Sequence, residues 1–313
     1  GQRSAAIRQL QQLDHQYPGS AGLRQTLAGW LFAENRDREA LALLDQLSRD
    51  PGARDAAAQR EFDYLSGQAV SATSAAAWQA FLQRYPASPL LAQASETLQQ
   101  QRKLLADPAW QAGQRGKALL DKGRNAEAET QLRRALRQYP GDAGLYGALG
   151  YALMRQGRHE DAHAAFRAAS AKEQDTYWIS QWKDLESSSQ YWALLKKAEQ
   201  ALAAKDVRGA RALYRQARQQ RPKDEYALLG LADVSLAEGD VAAAERQYLQ
   251  VLRMAPDNES AVRGLMRVYQ AQSPGKAQAY LDSLPPRQQA QFASLRRSLE
   301  LARLRQQGDE ALQ

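Results

Sequence analysis

The sequence contains no cysteine. Disulfides, thiolate metal sites and cysteine nucleophiles are therefore excluded; a cysteine-free chain is tolerated in any compartment, so the absence assigns none. No apolar run approaches the ~18 residues that mark a membrane-spanning helix. No basic-plus-apolar leader opens the sequence at Gly1, so a signal segment is expected to have been removed or to lie outside it. With only His15, His159 and His163 available, no serine–histidine–acid pattern can be argued. The net charge is +7, yet no block of five or more like charges occurs. The basic residues, 32 arginines and 10 lysines, are dispersed. They read as solvated helix faces, and no nucleic-acid partner is expected.

β-Branched residues are sparse and no segment alternates like a strand. Alanine, leucine, glutamine and arginine dominate instead, with apolar residues at three- and four-residue intervals almost throughout. That pattern reads as helix from end to end. At 313 residues, 44% hydrophobic and 25% charged, the chain is long enough for more than one core.

Proline marks a period. It closes helical stretches in "QYPG" at Pro18, "RYPA" at Pro86, "QYPG" at Pro140, "QRPK" at Pro222 and "MAPD" at Pro256. Pro222 and Pro256 are 34 residues apart, and Pro18 and Pro86 twice 34. Thirty-four is the period of tetratricopeptide repeats. Units then begin at Ala21, Asp55, Ala109, Ala143, Tyr191, Glu225 and Glu259. Position 20, where the two helices of a unit cross, is small: Ala40, Ser74, Ala128, Ala162, Ala210 and Ala244. Position 24, which fills the gap between units, is large: Leu44, Trp78, Leu132, Phe166, Tyr214 and Tyr248. Position 8 is small in Ala28, Gly116, Gly150, Ala198 and Ala232, with Phe62 breaking the column. Gly123, Gly157 and Gly239 suit the left-handed end of the first helix. These columns predict an all-α fold, a right-handed superhelical tetratricopeptide-repeat solenoid with non-repeat helical inserts.

The period slips twice, which sets the expected organisation. Residues 1–88 hold repeats, the first truncated to its second helix (Gly1 to Pro18). Residues 89–108 read as a solitary helix between "SPLL" and "ADPA", and so as a hinge, since proline at each end stops neighbouring helices from running through. Residues 109–176 hold two repeats, 177–190 an aromatic-rich insert, and 191–286 further repeats. Residues 287–313 hold a helix to about Gln307 and the start of a truncated repeat, "GDEALQ". Both ends are expected to be cuts through a longer array.

"QGRHEDAHAAFRAA" contains His-Glu-x-x-His, a zinc-protease signature in which His159 and His163 share one helical face and Glu160 is the general base. The repeat already explains Gly157, Ala162 and Phe166. Charged Arg158 and Asp161 flank and interrupt the motif, and the third ligand would have to be Glu186 in the polar insert. The reading is a chance match on a solvated helix, with no catalytic residue, metal or cofactor. "GDAGLYGALG" follows no strand, so it is not a phosphate loop. Tyr177, Trp178, Trp182, Tyr191 and Trp192 cluster around the second slip; aromatic platforms of this kind stack on sugar rings or bases, but large aromatics usually anchor packing, and the expectation is that these plug the joint between two repeat blocks. The candidate binding positions, on inward-facing or aromatic sites, are Trp110, Tyr151, Arg155, Trp178, Trp182, Trp192, Tyr226, Arg263 and Arg267.

Three stretches carry a resemblance. They are "AGLRQTLAGWLFAENRDREAL" from Ala21, "LADPAWQAGQRGKALLDKG" from Leu105, and Asp224 to Leu281 with its unusual "QSPGKA", where the next helix starts early. With the aromatic insert ending "SQYWALL", they resemble the periplasmic repeat region of the bacterial cellulose synthase operon protein C family, the cellulose-export subunits. The resemblance implies a periplasmic scaffold between the inner-membrane synthase and an outer-membrane pore. The parent chain would continue into an outer-membrane β-barrel. Its partners would be other cellulose synthase subunits, with cellulose or peptidoglycan as candidate glycans, and no catalytic residues would lie in this region. The alternative is a generic peptide- or protein-binding repeat adaptor. The inward residues Gly144, Gly147, Tyr151 and Arg155, and Trp192, Leu195, Glu199 and Leu202, do not form the basic clamp by which such adaptors hold a terminal carboxylate.

Overall fold

The computed structural model describes residues 2–311; Gly1 and residues 312–313, where the expected terminal cuts partly fall, lie outside the described residues. Every regular element among them is a helix, and none is long and apolar enough to cross a membrane. The chain divides into two compact units, Gly1–Leu119 with Thr130–Pro140, and Leu120–Glu129 with Gly141–Gln313.

The first unit contains α1 (Gln2–Gln16), α2 (Ala21–Ala33), α3 (Asp37–Leu47), α4 (Arg54–Ser66), α5 (Ala72–Arg84) and α6 (Leu91–Ala106). Helices α7 (Pro108–Asp121) and α8 (Asn125–Gln138) contribute to both units. The second unit continues with α9 (Ala143–Arg155), α10 (His159–Lys172), α11 (Thr176–Ala203), α12 (Val207–Gln220), α13 (Glu225–Ala237) and α14 (Val241–Met254). It ends with α15 (Glu259–Gln272), α16 (Pro274–Ser283), α17 (Pro286–Gln291) and α18 (Ala293–Ala311). Each helix packs on the next from α1 to α6 and from α9 to α16. The first helices of successive repeats also touch, α2 with α4, α11 with α13, and α13 with α15. Each unit therefore has an inner face lined by first helices.

The punctuation works as the sequence implies. Pro18, Pro86, Pro140, Pro222 and Pro256 each lie two residues past the last helical residue of α1, α5, α8, α12 and α14. Gly123, Gly157 and Gly239 have φ of 73°, 70° and 80°. The same repeat position is left-handed in Asn35 (φ 57°) and Lys205 (φ 64°), where no glycine signals it. Helix starts are capped by side chains. Asp142, Asp206, Asp240 and Asn258 each accept the backbone N–H three residues on, which satisfies one of the donors a helix start leaves free.

The three columns are core. Every position-8, position-20 and position-24 residue named above is buried. The reason is steric: a side chain at Gly116 would meet Leu132 at 2.7 Å, and one at Gly150 would meet the Phe166 ring at 2.6 Å. The structure adds a column that the sequence reading missed. Gly230 and Gly264, at position 6, make room for Tyr214 and Tyr248 of the preceding repeat, at 2.1 and 2.3 Å from where a Cβ would sit.

Two places depart from the regular pattern. In the first unit the carboxylate of Glu61 is buried. It accepts from Arg84 Nη1 at 2.5 Å and from the Tyr85 hydroxyl at 3.0 Å, while Arg84 Nε also reaches Asp45. This network ties α3, α4 and α5 beside the edge-to-face cluster of Phe62, Trp78 and Phe81. In the second unit, residues 177–190 do not form a segment of their own; they are the first turns of α11, which runs unbroken for 28 residues. Fourteen extra residues are nearly four turns at 3.6 per turn, so the helix keeps its apolar face toward α10. Residues 89–108 contain α6, which packs on α5 through one stripe, Ala94, Leu98 and Gln101, the last accepting from Ser74 Oγ. Ser273 alone separates α15 from α16 and caps both. Helix α18, expected to end near Gln307, continues to Ala311.

Two stability predictions follow from this packing. Phe166 is fully buried between Gly150, Tyr151 and Trp182, so Phe166→Ala should cost about 3–5 kcal/mol in denaturant unfolding, and a loss under ~1 kcal/mol would contradict the register. Lys205 holds a left-handed conformation that glycine adopts without strain; Lys205→Gly should stabilise by up to about 1 kcal/mol in the same assay, and destabilisation would show that this backbone position is not strained.

Candidate functional site

The inner face of the second unit carries a groove of about 540 Å³, within the ~300–1,000 Å³ range of small-ligand sites. It is built from two repeat columns. Position 2 supplies Trp192 on α11, Tyr226 on α13 and Ser260 on α15, each 34 residues after the last. Position 9 supplies Glu199 and Asp233, and continues as Arg267, whose guanidinium lies 3.8 Å from Asp233. Trp192 and Tyr226 meet at 5.3 Å between ring centroids, tilted by 58°. The Tyr214 ring reaches the groove because Gly230 has no side chain to cover it.

Burial and the nearby charges of Glu199 and Asp233 push the Tyr214 phenol far above its ordinary range, so it stays protonated and can donate. Burial pushes the Asp233 carboxyl up, opposed by the Tyr248 hydroxyl that donates to it at 2.5 Å and by Arg267. Lys196 donates to the Gly157 carbonyl at 3.0 Å. The His159 ring lies 6.3 Å from Trp192 and lines the same groove.

The His-Glu-x-x-His residues thus have separate neighbours. His163 Nδ1 is 3.2 Å from the backbone carbonyl of Glu186, so the residue considered as a third ligand presents its main chain. Glu160 is ion-paired with Lys197 at 2.7 Å. Among the described residues, no group of three metal-ligating side chains converges.

Of the sequence candidates, Trp192 and Tyr226 line the groove and Arg267 stands at its edge. Trp182 is 7% exposed and is core: it fills the notch at Gly147, stacks on Phe166 and meets Tyr151 edge-on. Trp178, 46% exposed, stacks on the outer side of Trp182. Arg155 donates to the Leu120 carbonyl, and Arg263 pairs with Glu259 on its own helix. Trp110 is half-buried on α7 in the first unit, where its backbone N–H is capped by Asp107. The groove residues that sequence reasoning missed are Asp233, Tyr214, Lys196 and Ser260, and His159 and Glu199 were not assigned to a binding site. The signal was present for two of them: Asp233 and Ser260 follow Glu199 and Tyr226 by one period.

Two tetratricopeptide-repeat family models match, one over residues 114–176 and the other over residues 201–269. With the helix pairs and their buried columns, the fold is that of tetratricopeptide repeats. The chain is similar to cellulose synthase operon protein C of Escherichia coli strain K12, 39% identical over 307 residues, covering 98% of this chain and 26% of that protein. The protein of the same name from Salmonella typhimurium strain LT2 matches with the same identity and coverage. The chain spans about a quarter of the length of these curated relatives. Among solved structures, the C-terminal part of a repeat-containing protein from Cytophaga hutchinsonii is 16% identical, covering 84% of this chain and 95% of that chain at a TM-score of 0.37.

Burial and the neighbouring Lys196 charge lower the His159 pKa from 6.5. Protonation therefore favours the unfolded chain, and stability should fall as pH drops from above 6.5 through the depressed folded value. NMR titration should place His159 below 6.5, and His159→Asn should flatten the stability loss over that window; a titration at or above 6.5 would refute the assignment.

Proposed function

We propose that this chain is a non-catalytic repeat module of a cellulose export apparatus. It acts in the periplasm as an interaction scaffold between an inner-membrane synthase and an outer-membrane pore. The observation that carries this reading is identity of 39% over 98% of the chain, a span that takes in both irregular stretches as well as the regular repeats. Its partners are other subunits of the synthase complex, and the parent chain continues into an outer-membrane β-barrel. The inner faces of its repeats are the contact surfaces. On this reading residues 89–108 form the joint at which the array flexes, since α6 buries a single stripe.

The test is a chimera. This chain replaces the aligned segment of the Escherichia coli relative, and secreted cellulose is measured by dye binding. Secretion should be retained. A chimera that accumulates in the cell envelope yet exports no cellulose would reject the reading, as would recovery of the native protein from the cytoplasm on fractionation.

A further inference from the structure

The make-up of the second unit's groove selects among ligand classes. One wall presents aromatic faces: Trp192 and Tyr226 meet at an angle, and Tyr226 is 45% exposed. Such faces attract flat apolar surfaces. About two turns further along the same helices lie hydrogen-bond acceptors, the carboxylates of Glu199 and Asp233, with the protonated Tyr214 phenol near both charges. His159 adds a buried ring nitrogen, Nδ1, that has no hydrogen-bond partner in the fold. A buried polar atom of that kind is costly unless a ligand or water satisfies it.

The charges nearly balance. Lys196 lines the same groove and is already engaged with the Gly157 carbonyl, and Arg267 stands beside Asp233. A polyanion would meet two carboxylates, and so would a peptide's terminal carboxylate. A strongly cationic segment would meet Lys196 and Arg267. An uncharged chain of sugar rings meets neither conflict: its ring faces stack and its hydroxyls donate. Because its two rows run across three successive first helices, α11, α13 and α15, the site follows the repeat axis and suits an extended chain.

The first unit carries an independent groove of about 460 Å³ with the same ingredients. Phe32 and Tyr64 stack there at 4.2 Å with 17° between planes. Gln25 and Gln59 supply amides, and one cation, Arg60, lies beside one anion, Asp63. Gly29 leaves the space that Arg60 occupies, with a guanidinium nitrogen 2.3 Å from where a Cβ would sit. Aromatic faces, mixed donors and acceptors and no net charge recur on different residues.

Resting on the export reading above, we propose that the groove of the second unit holds an uncharged glycan chain. Its sugar rings stack on Trp192 and Tyr226, and its hydroxyls donate to Glu199 and Asp233. The groove on Phe32 and Tyr64 takes the same ligand.

The intact 313-residue chain is titrated with cellohexaose, followed by calorimetry and by NMR shifts of the indole N–H signals. The Trp192 signal should move. Tyr226→Ala and Glu199→Gln should each weaken binding about tenfold (~1.4 kcal/mol) with helicity unchanged. Added salt should leave the affinity unaltered, because the ligand carries no charge to screen. Absence of binding would overturn the proposal. So would a lysine-rich peptide that moves the same signals where the sugar does not, or loss of binding in Trp178→Ala but not in Tyr226→Ala. A chimera that exports cellulose while the chain binds no cellohexaose leaves the export reading standing and rejects this one. Sugar binding in a chain whose chimera fails does the reverse.

Discussion

A large side chain seated on a residue that has almost none is the contact on which the rest of this structure depends. Phe166 lies on Gly150, Leu132 on Gly116, Tyr214 on Gly230 and Tyr248 on Gly264. In each case the small residue is on a first helix and the large one on a second helix, so the pair sets how closely consecutive helices approach. Interiors at crystal-like density do not tolerate an extra methyl at such points. Because each contact joins near neighbours only, the core is a series of local clusters. The second unit holds three in succession, around Tyr214, Tyr248 and Leu281. Stability is therefore spread along the repeats, as in other solenoids.

The same period that builds the core builds the groove. A residue that points inward in one repeat points inward 34 residues later, so single positions become rows across neighbouring first helices. Trp192, Tyr226 and Ser260 form one row; Glu199, Asp233 and Arg267 form the other. The rows vary in chemistry while the buried columns do not, because only the core positions are constrained by volume. The groove-lining residues are free to carry recognition. Some of this recognition surface is also tied to the core: Asp233 accepts from the buried Tyr248, so its carboxylate is held in place from behind.

The irregular stretches obey the packing rule too. Fourteen additional residues could have formed a loop. They lengthen α11 instead, since nearly four turns return the helix to the same face, and Trp182 is received by the notch at Gly147. The buried Glu61–Arg84–Tyr85 network stands in the repeat where Phe62 replaces the small residue of its column. There, charge-assisted hydrogen bonds and edge-to-face aromatic contacts hold the helices where the small-against-large contact is missing.

Much of the fold was legible in the sequence, because a 34-residue period is a one-dimensional signal. The helix ends follow from proline, the left-handed turns from Gly123, Gly157 and Gly239, and the buried columns from size alone. The left-handed turns at Asn35 and Lys205 were not legible, since neither residue demands that conformation locally and the repeat imposes it. Nor was the seating of Tyr214 on Gly230, which joins two repeats and needs their relative placement. The His-Glu-x-x-His string shows the limit most clearly. Its spacing is a property of the chain, but the neighbours of His159, Glu160 and His163 come from α11 and differ for each of them. The repeat, its helices and its core could be read from the chain alone, because these depend on contacts at a fixed separation along it. Which residues share a groove was settled in three dimensions, because it depends on side chains brought together from α10, α11, α12, α13 and α15, whose spacing the core contacts set.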